Sequence, residues 1–287
     1  MCYNALMKVK VYAKLNLTLK VGARQGAFHP IDSVATSVDV CDVVEVVKRT
    51  DSDVHVEGVS GVAQTDNTAY KAAHAFSKAF SSPGVDVFVK KGIPFGAGLG
   101  GSSADAAAVL YCMCKLFGVD VDGDEVRAIC ARLGSDVTFM LHGGLGRLCG
   151  KGDDVEFFAL KRPIYFALTT FDTQMSTAEV YAAFDRIVQE KAYAQDRNNI
   201  QIGNIVQSFS LFSNDLQLAT RAISDYADEY LAFAEVNGLS PVMTGSGSAY
   251  FIAFSTFVEA QNAANLLNYH GFCTVVCQTV PNGIKEI

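Results

Sequence analysis

Charge is scarce in this 287-residue chain: Asp, Glu, Lys and Arg make up 18% of it, while half of the residues are hydrophobic. No polar low-complexity tract and no internal repeat is visible, which excludes a disordered or solenoid chain and leaves a globular one, long enough for two cores. Positive charge does not dominate either. The net charge is −7, so the overall field opposes nucleic acid, and an anionic ligand must be met by local cations and backbone donors. The eight cysteines have no matching His or Cys pairs at zinc spacing; Cys112-x-Cys114 and Cys273-x-x-x-Cys277 stand alone. Reduced, mostly buried thiols and a cytoplasmic chain are therefore expected. Lysines interrupt every apolar run of MCYNALMKVKVYAKLNLTLKV, so neither a signal segment nor a membrane span is expected there. The P-loop pattern G-x-x-x-x-G-K-[ST] is missing as well: the only Gly-Lys pair, Gly150-Lys151, lacks the preceding glycine and the following hydroxyl, which argues against a Walker ATPase.

What the chain does have is PFGAGLGGSSAD at 94–105. Gly96, Gly98, Gly100 and Gly101 leave main-chain N–H groups uncovered and tolerate positive φ, and a helix is predicted from the serines to about Phe117, where Gly118 stops it. Glycines followed by a helix N-terminus form a phosphate cradle. Ser102 and Asp105 read as an acidic capping box. Gly96-x-Gly98-x-x-Gly101 also matches the dinucleotide fingerprint, but Lys91-Gly92-Ile93-Pro94 separates it from the strand VDVFVK, and a second helix follows where a strand is needed. A flexible surface loop is the plainer alternative.

Elsewhere, alternation from Lys8 to Val21 predicts a strand with one buried face, carrying Lys14 and Asn16 on the other. A helix is predicted over TAYKAAHAFSKAF at 68–80, with helices around 178–190 and 215–237, a strand–turn–strand over SPVMTGSGSAYFIAFST, and a final strand CTVVCQTV. The halves 1–158 and 159–287 read as two α+β domains, the second a small antiparallel sheet backed by helices.

Three segments in order, AKLNL at 13–17, PFGAGLGGSSADAAA at 94–108 and MTGSGSAYF at 243–251, resemble the GHMP kinase superfamily. Further segments, namely FH followed by SVATSVDVCD, Asp66-Asn67, GSDVTFMLHGG, STAEVY and FSNDL, carry the resemblance to members that act on a cytidine-diphosphate-linked methylerythritol. The resemblance implies an S5-like N-terminal domain, a ferredoxin-like C-terminal domain and an active site in the cleft between them. It also implies phosphorylation of a C2 hydroxyl by ATP with Mg²⁺ in non-mevalonate isoprenoid synthesis, with no nucleic-acid, membrane or obligate protein partner. Asp136 is then the catalytic carboxylate and Lys14 its cationic partner, a pairing that suits removal of a proton from an alcohol beside a transferring phosphoryl group. ATP would be bound by Asn67, Lys91 and Pro94, and by the run Gly96, Ala97, Gly98, Leu99, Gly100, Gly101, Ser102 and Ser103. Substrate would be bound by Asn16, Phe28, His29, Thr177, Tyr181, Gly245, Ser246 and Gly247. No protein metal ligand set is implied, Mg²⁺ being held by phosphate oxygens, water and Ser103.

From the residues alone, Lys14 reads as a solvated strand lysine, Asp136 as either a first-turn helix acid or a catalytic group, His29 as structural or exposed and Tyr181 as core. Other members of the superfamily, acting on homoserine, mevalonate or sugars, and a non-catalytic nucleotide-binding relative are the competing readings. The chain departs from the family pattern at Gly26-Ala27-Phe28, Ala35, Thr138, Arg147 and Cys149.

Overall fold

The first strand, β1 (Leu6–Val21), is the spine of the molecule. Its Val and Leu residues alternate inward, and it pairs antiparallel along nearly its whole length with β2 (Ile31–Lys48). The computed structural model describes residues 5–190 and 202–287. β2 then pairs with β4 (Val85–Lys90), which runs parallel to the short β3 (Val54–Glu57). On its other stretch β2 pairs with β5 (Leu145–Gly150), and β5 with β6 (Asp154–Phe158).

Helices cover one face of this sheet. α1 (Thr68–Phe80) is capped by the Asn67 side chain, which accepts from the Ala69 amide at 2.9 Å, and ends at Ser81 in the left-handed region. α2 (Gly101–Phe117) has a run of alanines that are fully buried, so small side chains let it sit close to β1, β2 and α1. α3 (Asp124–Leu133) and the short α4 (Val137–His142) complete the layer.

A second, four-stranded antiparallel sheet is built from β7 (Tyr165–Thr170), β9 (Val242–Met243), β10 (Tyr250–Phe254) and β11 (Cys273–Gln278) in the order β11-β7-β10-β9. α9 (Phe257–Tyr269), opened by a capping box of Thr256 and Glu259, packs on β7 and β11. Between β7 and β9 run α5 (Thr177–Glu190), the short α6 (Ile202–Ile205), β8 (Ser213–Asn214), α7 (Leu216–Ile223) and α8 (Asp228–Val236). β8 and the last strand, β12 (Ile284–Glu286), return to pair with β1. One hydrophobic cluster runs from β1 and α2 through Phe166, Phe212 and Phe251, so the core is continuous between the sheets.

Three expectations change. β1 loses its wet face through its middle: Lys14, Asn16 and Thr18 are buried along with Leu15 and Leu17, while Lys8 and Lys20 stay at the surface. A register irregularity between Asn16 and Thr18 accompanies this burial, the kind of bulge that re-aims side chains next to a site. The helix predicted over 215–237 is two helices, because Ser224 is extended and the turn after it packs the Tyr226 ring against Phe171 at 5.0 Å, with its hydroxyl donating to the Ser248 carbonyl. Tertiary burial of one aromatic outweighs helical periodicity there. The Ser102–Asp105 capping box is absent: Gly100 is the N-cap, and Asp105 turns into the protein toward Lys91.

Seven cysteines lie among the described residues, all with free thiols, and Cys2 falls outside them. Burial pushes the Cys112 and Cys114 thiols up to about 12, so both stay protonated. Among the described residues no helix is long and apolar enough to cross a membrane. Phe76, fully buried between Phe80 and Phe117, ties α1 to the end of α2. Phe76→Ala should cost about 3–5 kcal/mol in urea unfolding; a cost below about 1 kcal/mol would contradict this packing.

Candidate active site

A cleft of about 990 Å³ opens between the two sheets. It is lined by β1, the glycine loop, the start of α2, the Ser135–Asp136 turn, α5 and the turn after β9. Every residue singled out from the sequence lines it except Asn67, which is occupied in capping α1.

The glycine loop is tied on two sides. The Lys14 amide donates to the Leu99 carbonyl at 3.1 Å, which fixes the loop to β1, and the Ala249 amide donates to the Ala97 carbonyl at 3.1 Å, which fixes it to the second sheet. Gly98, at φ +75°, has no room for a side chain: a Cβ would lie 2.3 Å from the Thr244 carbonyl oxygen. Gly100, at φ +74°, would press a Cβ to 2.1 Å from Met140 Cε and 3.2 Å from Lys14 Cγ. Backbone therefore packs on backbone, with Gly245 reciprocally close to the Gly98 carbonyl. Behind the loop the N-terminus of α2 faces the cleft with its unpaired amides.

Lys14 and Asp136, far apart in sequence, meet here. Lys14 Nζ lies 3.5 Å from Asp136 Oδ2; the lysine side chain is 5% exposed and the aspartate 29%. Asp136 stands at the N-cap position of α4 but makes no side-chain cap bond, which leaves its carboxylate to Lys14 and the cleft. Asn16 organises the floor. Its Oδ1 accepts from Lys14 Nζ and from the Gly245 amide at 3.1 Å, its Nδ2 donates to Ser33 Oγ at 2.7 Å, and its amide donates to Thr244 Oγ1 at 3.1 Å. One buried side chain thus links the catalytic lysine of the sequence reading to the Gly-Ser-Gly turn. Across the mouth, Thr177 Oγ1 and Ser246 Oγ share a 2.9 Å hydrogen bond.

Lys91 lies under the start of α2, held by Asp42 at 2.5 Å and Asp105 at 2.8 Å. Burial pulls its charge down, but the two carboxylates outweigh this and the net shift is upward. Burial, with help from Asp42 and against the pull of Lys91, pushes Asp105 up from 3.8 to about 7, and its Oδ1 has no partner.

At the far end stand Phe28, His29 and Tyr181. The His29 and Tyr181 rings are 5.4 Å apart at 31°. Burial, then the Asp136 charge, pushes the Tyr181 hydroxyl up to about 12, so it stays neutral. Arg24, Lys151 and Asp185 also line the cleft and were not singled out from the sequence. Lys151 Nζ sits 4.8 Å from the Phe28 ring centroid. Its position between Gly150 and Gly152 was the available signal, and Asp185, four residues after Tyr181 on α5, shares that helix face. Arg147, a departure from the family pattern, is taken up by a two-pronged pair with Asp32 at 2.8 and 2.7 Å.

Such a site, a glycine loop on a helix N-terminus facing a Lys–Asp pair across two sheets, defines a small-molecule kinase of the GHMP class, and residues 67–144 match the GHMP kinases N terminal domain. Two relatives bear one name. The 4-diphosphocytidyl-2-C-methyl-D-erythritol kinase of Clostridium beijerinckii is 32% identical over 265 residues, covering 89% of this chain and 93% of the relative. That of Desulfitobacterium hafniense is 34% identical over 273 residues, covering 92% and 93%. A crystal structure of 4-(cytidine 5'-diphospho)-2C-methyl-D-erythritol kinase superposes with a TM-score of 0.78 at 27% identity, over 95% of this chain and 98% of that one. The chain belongs to the 4-diphosphocytidyl-2-C-methyl-D-erythritol kinase family.

Two outcomes follow from this geometry. Gly98→Ala, strained in φ and blocked by the Thr244 carbonyl, should weaken ATP binding about tenfold or more in titration calorimetry; unchanged affinity would contradict the packing of loop on turn. Asp105 holds its proton more tightly folded than unfolded, so its contribution is full in acid and is lost as pH rises from about 4 to about 7. Asp105→Asn, a permanently neutral replacement, should flatten the fall in stability across that window in urea unfolding, whereas an unaltered slope would contradict the assignment.

Proposed function

We propose that this chain transfers the γ-phosphoryl group of ATP to the C2 hydroxyl of 4-diphosphocytidyl-2-C-methyl-D-erythritol, in the cytoplasm, as a step of non-mevalonate isoprenoid precursor synthesis. The single observation that carries the chemistry is the 3.5 Å pair of Lys14 and Asp136 beside the glycine loop. The names of the relatives carry the choice of acceptor.

The roles follow from charge and reach. Asp136 accepts the hydroxyl proton as the new O–P bond forms, since a neutral tertiary alcohol is a weak nucleophile. Lys14, 5% exposed and held by Asn16, places its ammonium beside the transferring group, where it needs little reorganisation during reaction. Gly96 to Ser103 and the amides at the start of α2 hold the ATP phosphates. Mg²⁺ fits this end of the cleft: the Ser102 and Ser103 hydroxyls and the Asp136 carboxylate are hard oxygen donors, and Ser103 Oγ lies close to Gly134, beside the Asp136 turn. When bound, the ion would neutralise phosphate charge, with Ser103 as its protein ligand. Phe28 and Tyr181 stack on the cytosine, His29 stands at its edge, and Asn16, Thr177 and the 245–247 turn line the acceptor's path. The halves 1–158 and 159–287 act as two lobes around the cleft, with β8 and β12 reaching from the second to the first.

Asp136→Asn should lower kcat by about 10²–10⁴-fold in a coupled ADP-release assay while ATP affinity changes little. Near-normal turnover would overturn the base assignment. In a panel of labelled-ATP reactions the cytidyl substrate should be the preferred acceptor; preference for homoserine, mevalonate or a sugar would overturn the acceptor assignment alone.

A further inference from the structure

The loop that carries Phe28, between β1 and β2, is anchored weakly by its own backbone. The Gly22 amide donates to the Pro30 carbonyl at 2.7 Å, and Gln25 and Phe28 exchange bonds of 2.8 and 3.4 Å. Among the described residues, two of its side chains reach α5 and converge on one carboxylate. Arg24 donates from its terminal nitrogen to Asp185 Oδ2 at 3.0 Å, and His29 Nε2 lies 3.1 Å from Asp185 Oδ1. Each of those side chains also braces the loop: Arg24 Nε donates to the Gly26 carbonyl at 3.1 Å, and His29 Nδ1 donates to the Gly22 carbonyl at 3.0 Å. Both nitrogens of His29 therefore face protein oxygens, and its side chain is only 7% exposed. The His29 ring lies against Tyr181 and edge-on to Phe184.

We infer that Asp185 is a positioning residue for the nucleobase end of the cleft: by holding Arg24 and His29 together it fixes the Phe28 loop against the Tyr181 helix and sets the slot in which an aromatic base stacks. Tyr181 and Asp185, one turn apart on α5, present the stacking wall and the latch on the same side. The arrangement makes an uneven demand on stability and binding. Arg24 is 58% exposed and Asp185 23%, so the pair contributes little to folding. A stacking slot, by contrast, loses affinity when one wall loosens by a fraction of an ångström. ATP, held at the other end by the glycine loop, makes no use of the latch.

This inference rests on the cytidyl reading above. The test measures steady-state constants for both substrates, and melting temperature, for Asp185→Asn, Asp185→Ala and the Arg24→Ala/Asp185→Ala pair. Asp185→Ala should raise KM for the cytidyl substrate about tenfold, with kcat within about threefold, KM for ATP within about twofold and Tm within about 2 °C. Asp185→Asn, which keeps a polar side chain facing His29 Nε2 and loses the charge facing Arg24, should fall between. Adding Arg24→Ala to Asp185→Ala should change KM by less than about twofold, because Arg24 meets α5 through Asp185. A KM for the cytidyl substrate that stays within twofold, or a rise matched by that for ATP, overturns the latch while leaving the reaction intact. If Asp185→Ala fails to fold, Asp185→Asn decides by the same criterion. Wild-type protein that turns over no cytidyl substrate overturns the functional reading, and the latch with it.

Discussion

A buried ammonium must be paired, and the organisation of this molecule follows from where Lys14 finds its partners. An unpaired charge in the interior costs several kcal/mol. Lys14 has two neighbours to meet that demand: Asn16, two residues on along the same strand face, and Asp136, brought in from the turn before α4. Asn16 is itself committed to Ser33 on β2 and to Gly245 beyond β9. The second sheet is thereby registered against the first through the group that pairs the lysine. Position of the charge and closure of the cleft are one constraint, not two.

The same economy explains the glycines. The loop at 96–101 and the turn at 245–247 approach so closely that backbone atoms fill the space a Cβ would need, at Gly98 against Thr244 and at Gly245 against Gly98. Close approach puts the α2 N-terminus, the Lys14–Asp136 pair and the Thr177–Ser246 contact around one cavity. Electrostatic preorganisation of this kind is effective because the donors are held before any substrate arrives. Asp105 and Asp42 serve it from behind by fixing Lys91 under the first turn of α2.

Much of the fold was legible because local rules and tertiary packing agree. Alternation located β1, Asn67 and Ser81 bracket α1, and Gly118 ends α2 where a left-handed residue was required. The misreadings share one cause, a local pattern overruled by a distant partner. The lysines of β1 look alike in sequence, yet Lys8 reaches Glu45 at the surface while Lys14 is enclosed. Asp105 has the spacing of a cap but is drawn to Lys91, and Tyr226 breaks a helix to reach the aromatic cluster of the second sheet. Within the site, the glycine loop announced itself, whereas Arg24, Lys151 and Asp185 did not. Isolated charged residues on a loop, a turn and a helix carry no periodic signal, and only the fold brings them to one cavity.

The central claim is that Lys14 and Asp136 flank the point where phosphoryl group and alcohol meet. A crystal structure with a non-hydrolysable ATP analogue and the cytidyl alcohol bound tests it most directly. The account predicts the C2 hydroxyl within hydrogen-bond reach of the Asp136 carboxylate, with the terminal phosphate beside Lys14 Nζ and cradled by residues 96–103. An alcohol bound away from Asp136, or a terminal phosphate directed to another part of the cleft, would contradict it.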